Sequence, residues 1–396
     1  MRLLRVERGR DGDQVILVGR IERDSRTIEL FFRFPAELAG SDPPSADPFL
    51  AALLVPALVA GEPLTLDPPV SRRLLGRTAR AQDVLTYWYP TRQRITVAAS
   101  ARPWAPGEGM AGGHQGVGAF FSGGVDSCYT LLKSRLGLPS PADPITHLIF
   151  VKGFDAPLSE ADRLAESERR LRATAAQYGC TLVAVETNLR EVVPAPWGEM
   201  QCGSALGAVG LALGAGFRTV LIPASDDYGG LTPHGTHPLL DELWSTESVD
   251  FLHDGCEKTR VAKLAALLQH APELVDRLRI CWEAARGGPE NCGRCGKCVR
   301  TMTALRALGH LGRTTSFPAE LPPDYTLSFP WDHRSYLGHA LEQARLTGDP
   351  ELVRGLARYA RALDRREGLR RTLRAIPVTA AALDARAALV RRLRRQ

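Results

Sequence analysis

The sequence predicts an α/β fold: a doubly wound, parallel, five-stranded sheet, with a β-rich N-terminal domain and a helical C-terminal region. From Val117 onward, apolar runs of strand length alternate with segments of helical periodicity. The first of these strands meets the first helix at a tight Ser-Gly-Gly turn, Ser122 to Gly124. The flanks differ in character, with β-branched and aromatic runs before residue 108 and arginine at helical spacing after residue 311. The expected divisions are 1–108, 116–310 and 311–396.

Taken in order, Gln14-Val-Ile-Leu-Val-Gly and Thr27-Ile-Glu-Leu-Phe-Phe-Arg-Phe are β-rich runs that predict a hairpin or meander. A Pro-rich loop (Ser41 to Pro48) precedes an apolar helix over 49–60. Arg72 to Tyr89 reads as an amphipathic helix and Arg94-Ile-Thr-Val-Ala as a closing strand. Packing, homodimerisation or substrate gating is the default role for this region. Trp104 to Gln115 carries four Gly and one Pro and reads as a linker. Strands then follow at Val117, Ile145 and Thr181, with a charged helix over 159–178 between the second and third, whose first turn holds Glu160 and Asp162. Gly198 to Gly214 is a small-residue helix, Thr219-Val-Leu-Ile-Pro a fourth strand, and Arg277-Leu-Arg-Ile-Cys the expected fifth. Helical spacing resumes over 341–363 and 369–393.

A chain of 396 residues is too long for one compact domain. Its 44% apolar and 24% charged residues are ordinary for a soluble protein. Arg2, Arg5, Glu7, Arg8 and Arg10 break any export signal at the start, and the longest apolar run, Phe49 to Gly61, contains Pro56 and is too short for a bilayer. A cytoplasmic location without membrane attachment is expected. The net charge of +6 resides in the tail: from Pro350 onward there are 13 Arg against 4 acidic residues, which leaves 37 basic against 40 acidic elsewhere. A nucleic-acid partner on that tail is the less favoured alternative to a solvated helical face.

The turn at residue 122 carries the chemistry. Gly123 and Gly124 let backbone N–H groups face a ligand at a helix start, and Ser122 and Ser127 add hydroxyls, so the strand, loop and helix form a phosphate cradle. Asp126 would repel a bare polyphosphate, which implies a bridging divalent cation such as Mg²⁺. Polar residues also gather after the other strands: Asp155 after the second, Asp226 and Asp227 after the fourth. The long loop from Tyr228 to Trp244 adds His234 and His237 as candidates for substrate contact or proton transfer. Lys258 and Arg260 open a basic helix and are candidates to neutralise a departing anion.

Cys281, Cys292, Cys295 and Cys298 give Cys-x10-Cys-x2-Cys-x2-Cys with Gly293 and Gly296 in the short gaps. That spacing lets the thiolates meet at one tetrahedral centre, which points to structural Zn²⁺; an iron–sulfur cluster uses the same ligands. Arg286, Arg294, Lys297 and Arg300 lie near enough in sequence to offset its negative charge.

Ser-Gly-Gly-Val-Asp-Ser, residues 122–127, resembles the signature of the PP-loop, or N-type, ATP pyrophosphatases, whose members cleave ATP between its α and β phosphates. It lacks the loop length and lysine of Gly-x-x-x-x-Gly-Lys-Ser/Thr. With the cysteine cluster, residues 116–310 resemble the 7-cyano-7-deazaguanine synthase branch. The resemblance implies an adenine nucleotide alpha hydrolase-like sheet and an ATP site at Ser122, Gly123, Gly124, Val125, Asp126 and Ser127. It also implies zinc on the four cysteines and Lys258 as the family's helix-start lysine. The implied activity is ATP-dependent adenylation of a small molecule's carbonyl or carboxylate oxygen, then attack by a nitrogen nucleophile. The N-terminal region, the His-containing loop and the Arg-rich tail depart from that pattern. An RNA sulfurtransferase, needing a persulfide on Cys202 or Cys256, and a non-catalytic nucleotide-binding regulator are the alternatives.

Overall fold

A computed structural model of the chain describes residues 1–39, 44–103, 116–138, 142–214, 216–281, 291–327 and 334–374. The linker read at 104–115 and most of the helical pattern over 369–393 lie outside these. Compact units fall at Met1–Glu290 and Asn291–Gln396.

In the first unit the elements run β1 (Arg2–Asp11), β2 (Gln14–Arg23), β3 (Arg26–Pro35), α1 (Asp47–Ala60), β4 (Leu64–Val70), α2 (Arg72–Trp88) and β5 (Val97–Ala101). They continue with β6 (Gly116–Phe120), α3 (Val125–Arg135), β7 (His147–Lys152), α4 (Ala161–Gln177), β8 (Thr181–Thr187), α5 (Leu189–Val192) and α6 (Cys202–Ala212). Last come β9 (Phe217–Pro223), α7 (Pro238–Asp241), β10 (Asp250–Asp254), α8 (Arg260–His270) and α9 (Pro272–Val275).

The α/β class holds, but the sheet is not five-stranded: it is one mixed sheet of ten strands in the order β10-β9-β6-β7-β8-β3-β2-β1-β4-β5. β10, β9, β6, β7 and β8 are mutually parallel. The sheet then continues because β3 pairs antiparallel with β8 through Phe32↔Thr187 and Arg33↔Glu186. Asn188 reinforces the junction, accepting from the Phe31 amide at 3.0 Å and donating to the Glu29 carbonyl at 2.9 Å. The fifth parallel strand is Asp250–Asp254, and Arg277 to Cys281 is not a strand.

β1 and β4 had no strand signal in the reading above. β1 buries Leu3 and turns its charges outward, where Arg20 holds Glu7 at 2.9 Å across the β1–β2 pair. β4 contains Pro68 and Pro69, which lack ladder N–H groups, and its register with β5 slips between Leu66 and Val70. α1 is buried from Asp47 to Leu58 and packs on α6, whose Gly203, Gly207 and Gly210 admit close neighbours. One apolar cluster runs from Leu3 and Phe49 to Val220 and Phe251.

The second unit holds α10 (Gly296–Ala307), α11 (Arg334–Thr347) and α12 (Pro350–Arg374) around Val299, Leu337, Ala340, Leu352 and Leu356. Arg306 ties α10 to the start of α12 through Asp349 at 2.8 Å and Glu351 at 2.7 Å. Among the described residues no helix is long and apolar enough to cross a membrane.

Candidate active site and metal centre

β6 and β9 are adjacent, yet the chain leaves β6 toward β7 on its other side, so the strand order reverses there. In open α/β sheets ligands bind at the carboxyl ends of strands beside such a point. The Ser122 to Ser127 loop lies there, between β6 and α3.

Gly123 has φ +75°, and a Cβ on it would stand 2.8 Å from Leu171 Cδ2. The positive φ is what calls for glycine, since the Leu171 methyl ends a flexible side chain that can shift. Ser122 Oγ accepts from the Gly124 amide at 3.3 Å, and Ser127 Oγ donates to the Gly124 carbonyl at 3.1 Å. The Gly123 carbonyl accepts from the Arg279 amide at 2.9 Å. These bonds fix the loop's outward carbonyls within the protein, so the first turn of α3 keeps its N-terminal partial positive charge for a ligand.

Basic side chains surround the loop. Asp126, at the start of α3, is ion-paired with Arg260 Nη1 and stands 3.5 Å from Lys263 Nζ. Lys263 Nζ also donates to the Ala224 carbonyl at 2.6 Å. Arg279 Nη1 lies 3.5 Å from both the Ser122 carbonyl and Asp155 Oδ2. Arg260, Lys263 and Arg279 are only 5%, 1% and 7% exposed. Arg260 Nε and Arg279 Nη2 are buried without a hydrogen-bond partner among the described residues. Three cations against two carboxylates, Asp126 and Asp155, leave one positive charge over beside the helix terminus. Lys258 sits exposed on the turn before α8, apart from the Asp126 contacts. The sequence analysis does not single out Lys263, which is buried between the ring of Tyr129 at 5.9 Å and the Ala224 carbonyl. Arg279 was missed because 277–281 reads as a strand. Its position two residues before the first clustered cysteine was the available signal.

Farther along the strand ends, Arg190 bonds the Phe154 carbonyl and lies 4.5 Å over the Trp197 ring. Trp197–Gln201 is a π-helical turn at the start of α6, the kind of irregularity that recurs at functional sites. His234 Nδ1 faces Thr236 Oγ1 at 3.0 Å and Cys202 Sγ at 3.9 Å. His237 caps α7 by accepting from the Leu239 amide at 3.0 Å, and its ring stands edge-on to Trp88 at 4.8 Å. Burial lowers the pKa of both imidazoles, that of His237 to about 4, so both are neutral. Asp226 lies near enough to both histidines to oppose that shift. Asp227 closes its own turn by accepting from the Gly229 amide at 3.0 Å. A further histidine, His253 on β10, donates from Nδ1 to buried Asp241 at 2.6 Å.

The sulfurs of Cys281, Cys292, Cys295 and Cys298 all lie within 4.8 Å of one another, so the four can hold a metal ion. Zn–S bonds of about 2.3 Å around a tetrahedral ion put sulfurs about 3.8 Å apart. Cys292 and Cys298 stand at 3.9 Å. The backbone N–H groups of Arg294 and Cys295 point at Cys292 Sγ from 3.5 and 3.2 Å, the turn that Gly293 permits with φ +70°. Arg286 lies outside the described residues. The cluster is the sole group of its kind among the described residues.

No protein-family model, no curated protein and no solved structure matches the chain.

Proposed function

We propose that the chain is an ATP-dependent adenylating enzyme of the PP-loop type, releasing AMP and pyrophosphate. The supporting observation is the convergence of Arg260, Lys263 and Arg279 on the Ser122–Ser127 loop, with guanidinium N–H groups of Arg260 and Arg279 buried and unused. A desolvated cation with donors to spare costs several kcal/mol unless an anion completes it, on the order expected for any unpaired buried charge. A polyphosphate does so.

In this reading a carboxylate oxygen of a small molecule attacks the α-phosphorus. The bond from that phosphorus to the bridging oxygen breaks, and pyrophosphate leaves with the electron pair. Arg260, Lys263 and Arg279 face the charge as it grows, while the loop amides orient the chain of phosphates. A neutral nitrogen nucleophile then attacks the acyl carbon, AMP departs with the C–O electron pair, and the nitrogen's proton passes to water. Amide or nitrile formation, as in 7-cyano-7-deazaguanine synthase, is the reaction the resemblance favours. Both oxygens of Asp126 face basic side chains, so Mg²⁺ enters as the counter-ion that ATP brings and not as a fixed ligand of that residue. The cysteine cluster is assigned zinc, because four thiolates leave no open position for chemistry.

Sulfur transfer is disfavoured by its carriers. Cys202 and Cys256 are both buried, and burial pushes the Cys202 thiol up to about 12. Such a thiol is a poor nucleophile.

Purified protein given ATP and pooled small metabolites is expected to release AMP and pyrophosphate, and to do so with no tRNA present. ADP with phosphate would remove the reading. Arg279→Gln is the cleanest variant, because its partner Asp155 is exposed and tolerates the loss. AMP formation should fall roughly 100-fold with little change in thermal stability.

A further inference from the structure

We infer that His234 is a fixed hydrogen-bond donor that presents Nε2–H to an oxygen of the activated acyl group, and is not the base that deprotonates the nucleophile. The acyl oxygen rests on the adenylation reading; the donor role rests on geometry alone.

One backbone donor fixes the role of the other ring nitrogen. The Thr236 amide donates to His234 Nδ1 at 3.3 Å, and a backbone N–H has no alternative role. Nδ1 must therefore carry its lone pair, which puts the proton of a neutral ring on Nε2. The Thr236 hydroxyl at 3.0 Å and the Cys202 thiol at 3.9 Å face the same atom, and burial keeps that thiol protonated. An imidazolium would set Nδ1–H against the Thr236 amide. The surrounding charges do not reverse this. Burial above all, and His253 on β10, oppose protonation, while Asp226 after β9 and Asp241 on α7 favour it, and the pKa is lowered.

Nε2 has no hydrogen bond to a described residue, and it stands beside Gly198, where a Cβ would be 3.4 Å away. Gly198 follows Trp197, which lies under Arg190; Arg190 in turn bonds the residue before Asp155, the partner of Arg279 at the glycine loop. His234 Nε2–H thus stands at the far end of the same row of strand ends as the phosphate cradle. His237 has the same polarity but caps α7 and abuts Trp88, so it holds the loop in place.

A glutamine side chain can put an amide N–H near the position of Nε2, but no glutamine acts as a base near neutral pH. In the AMP-release assay His234→Ala should lose roughly 100-fold in kcat, the scale of one lost oxyanion donor, while His234→Gln should recover all but several-fold of it. Equal losses in the two variants would overturn the inference. Nitrogen NMR of the wild-type imidazole decides the matter separately. At pH 7.5 His234 should show an unprotonated Nδ1 and a protonated Nε2; a proton on Nδ1 at that pH would overturn it. If wild type releases no AMP, the adenylation reading fails while the NMR outcome still decides the donor role.

Discussion

Cys292 accepts two backbone N–H groups, from Arg294 and Cys295, which hold its sulfur in the tight turn beside the other three. A cysteine so placed is already prepared for a metal. Because a structural ion's binding energy is folding energy, removing one ligand should lower metal content and stability together. Cys295→Ser is expected to lose zinc by elemental analysis and to unfold at lower temperature than wild type. Iron with a visible absorption band would show instead that a redox cluster occupies the site. The cysteines were legible in the sequence because their spacing alone restricts the geometry. Arg279 was not legible, since its role depends on reaching a loop more than 150 positions away in the chain. Asp126 was legible as a residue but not in its surroundings. The sequence reads it only as the partner of a bridging cation, whereas in the fold it compensates two buried cations, so Asp126→Asn should destabilise the fold as well as lower turnover.

At the scale of elements, the five parallel strands are largely readable and β10 is the exception. It is a five-residue edge strand, Asp-Phe-Leu-His-Asp, paired only with β9. Its polar residues answer partners that the sequence does not reveal: Asp254 meets Lys133 of α3 at 2.7 Å and His253 meets Asp241 of α7. Burial is the largest single influence and lowers the His253 pKa, but the hydrogen bonds and charges of Asp241 and Cys256 together outweigh it and raise the value to about 9. An unfolded histidine titrates near about 6.5. The folded state therefore binds the proton more tightly, and the pair's stabilisation is fully present below pH 6.5 and is lost as pH rises through 9. Thermal unfolding measured from pH 6.5 to 9.5 should show stability falling toward the upper end. His253→Gln should remove most of that slope, and an unchanged slope would exclude the pair as its source. On the same α7 face, a Cβ on Gly203 would stand 2.0 Å from the Gly235 carbonyl, so α6 and the histidine loop are fitted to each other at backbone distance.

For the first compact unit as a whole, the informative departure is the continuity of the sheet. Hydrophobic patterning distinguishes strands from helices but does not say which strands pair, and β3 joins β8 through a two-residue antiparallel match that leaves no local signal. A β-rich N-terminal region therefore reads as a separate domain even where it extends the next one. The packing is less ambiguous: α1 is buried along most of its length, and it covers the small-residue face of α6 that continues into the π-helical turn beside His234. α2 then holds the histidine loop from outside, with Arg77 donating to the Glu242 carbonyl at 2.6 Å and Tyr89 to the Glu199 carbonyl at 2.8 Å. Deleting residues 1–115 would uncover the β8 edge and strip α6 of its apolar cover. At roughly 25 cal/mol per Å², or about 1.5–3 kcal/mol for each large side chain, losing the burial of four or five of them is comparable to the roughly 5–15 kcal/mol by which a domain is folded. A chain beginning at Gly116 is therefore expected to be insoluble or to lack a cooperative unfolding transition. Expression with calorimetry provides the check, and a soluble fragment that melts cooperatively near the full-length temperature would mean that the N-terminal strands are an accessory to the sheet and not part of its stability.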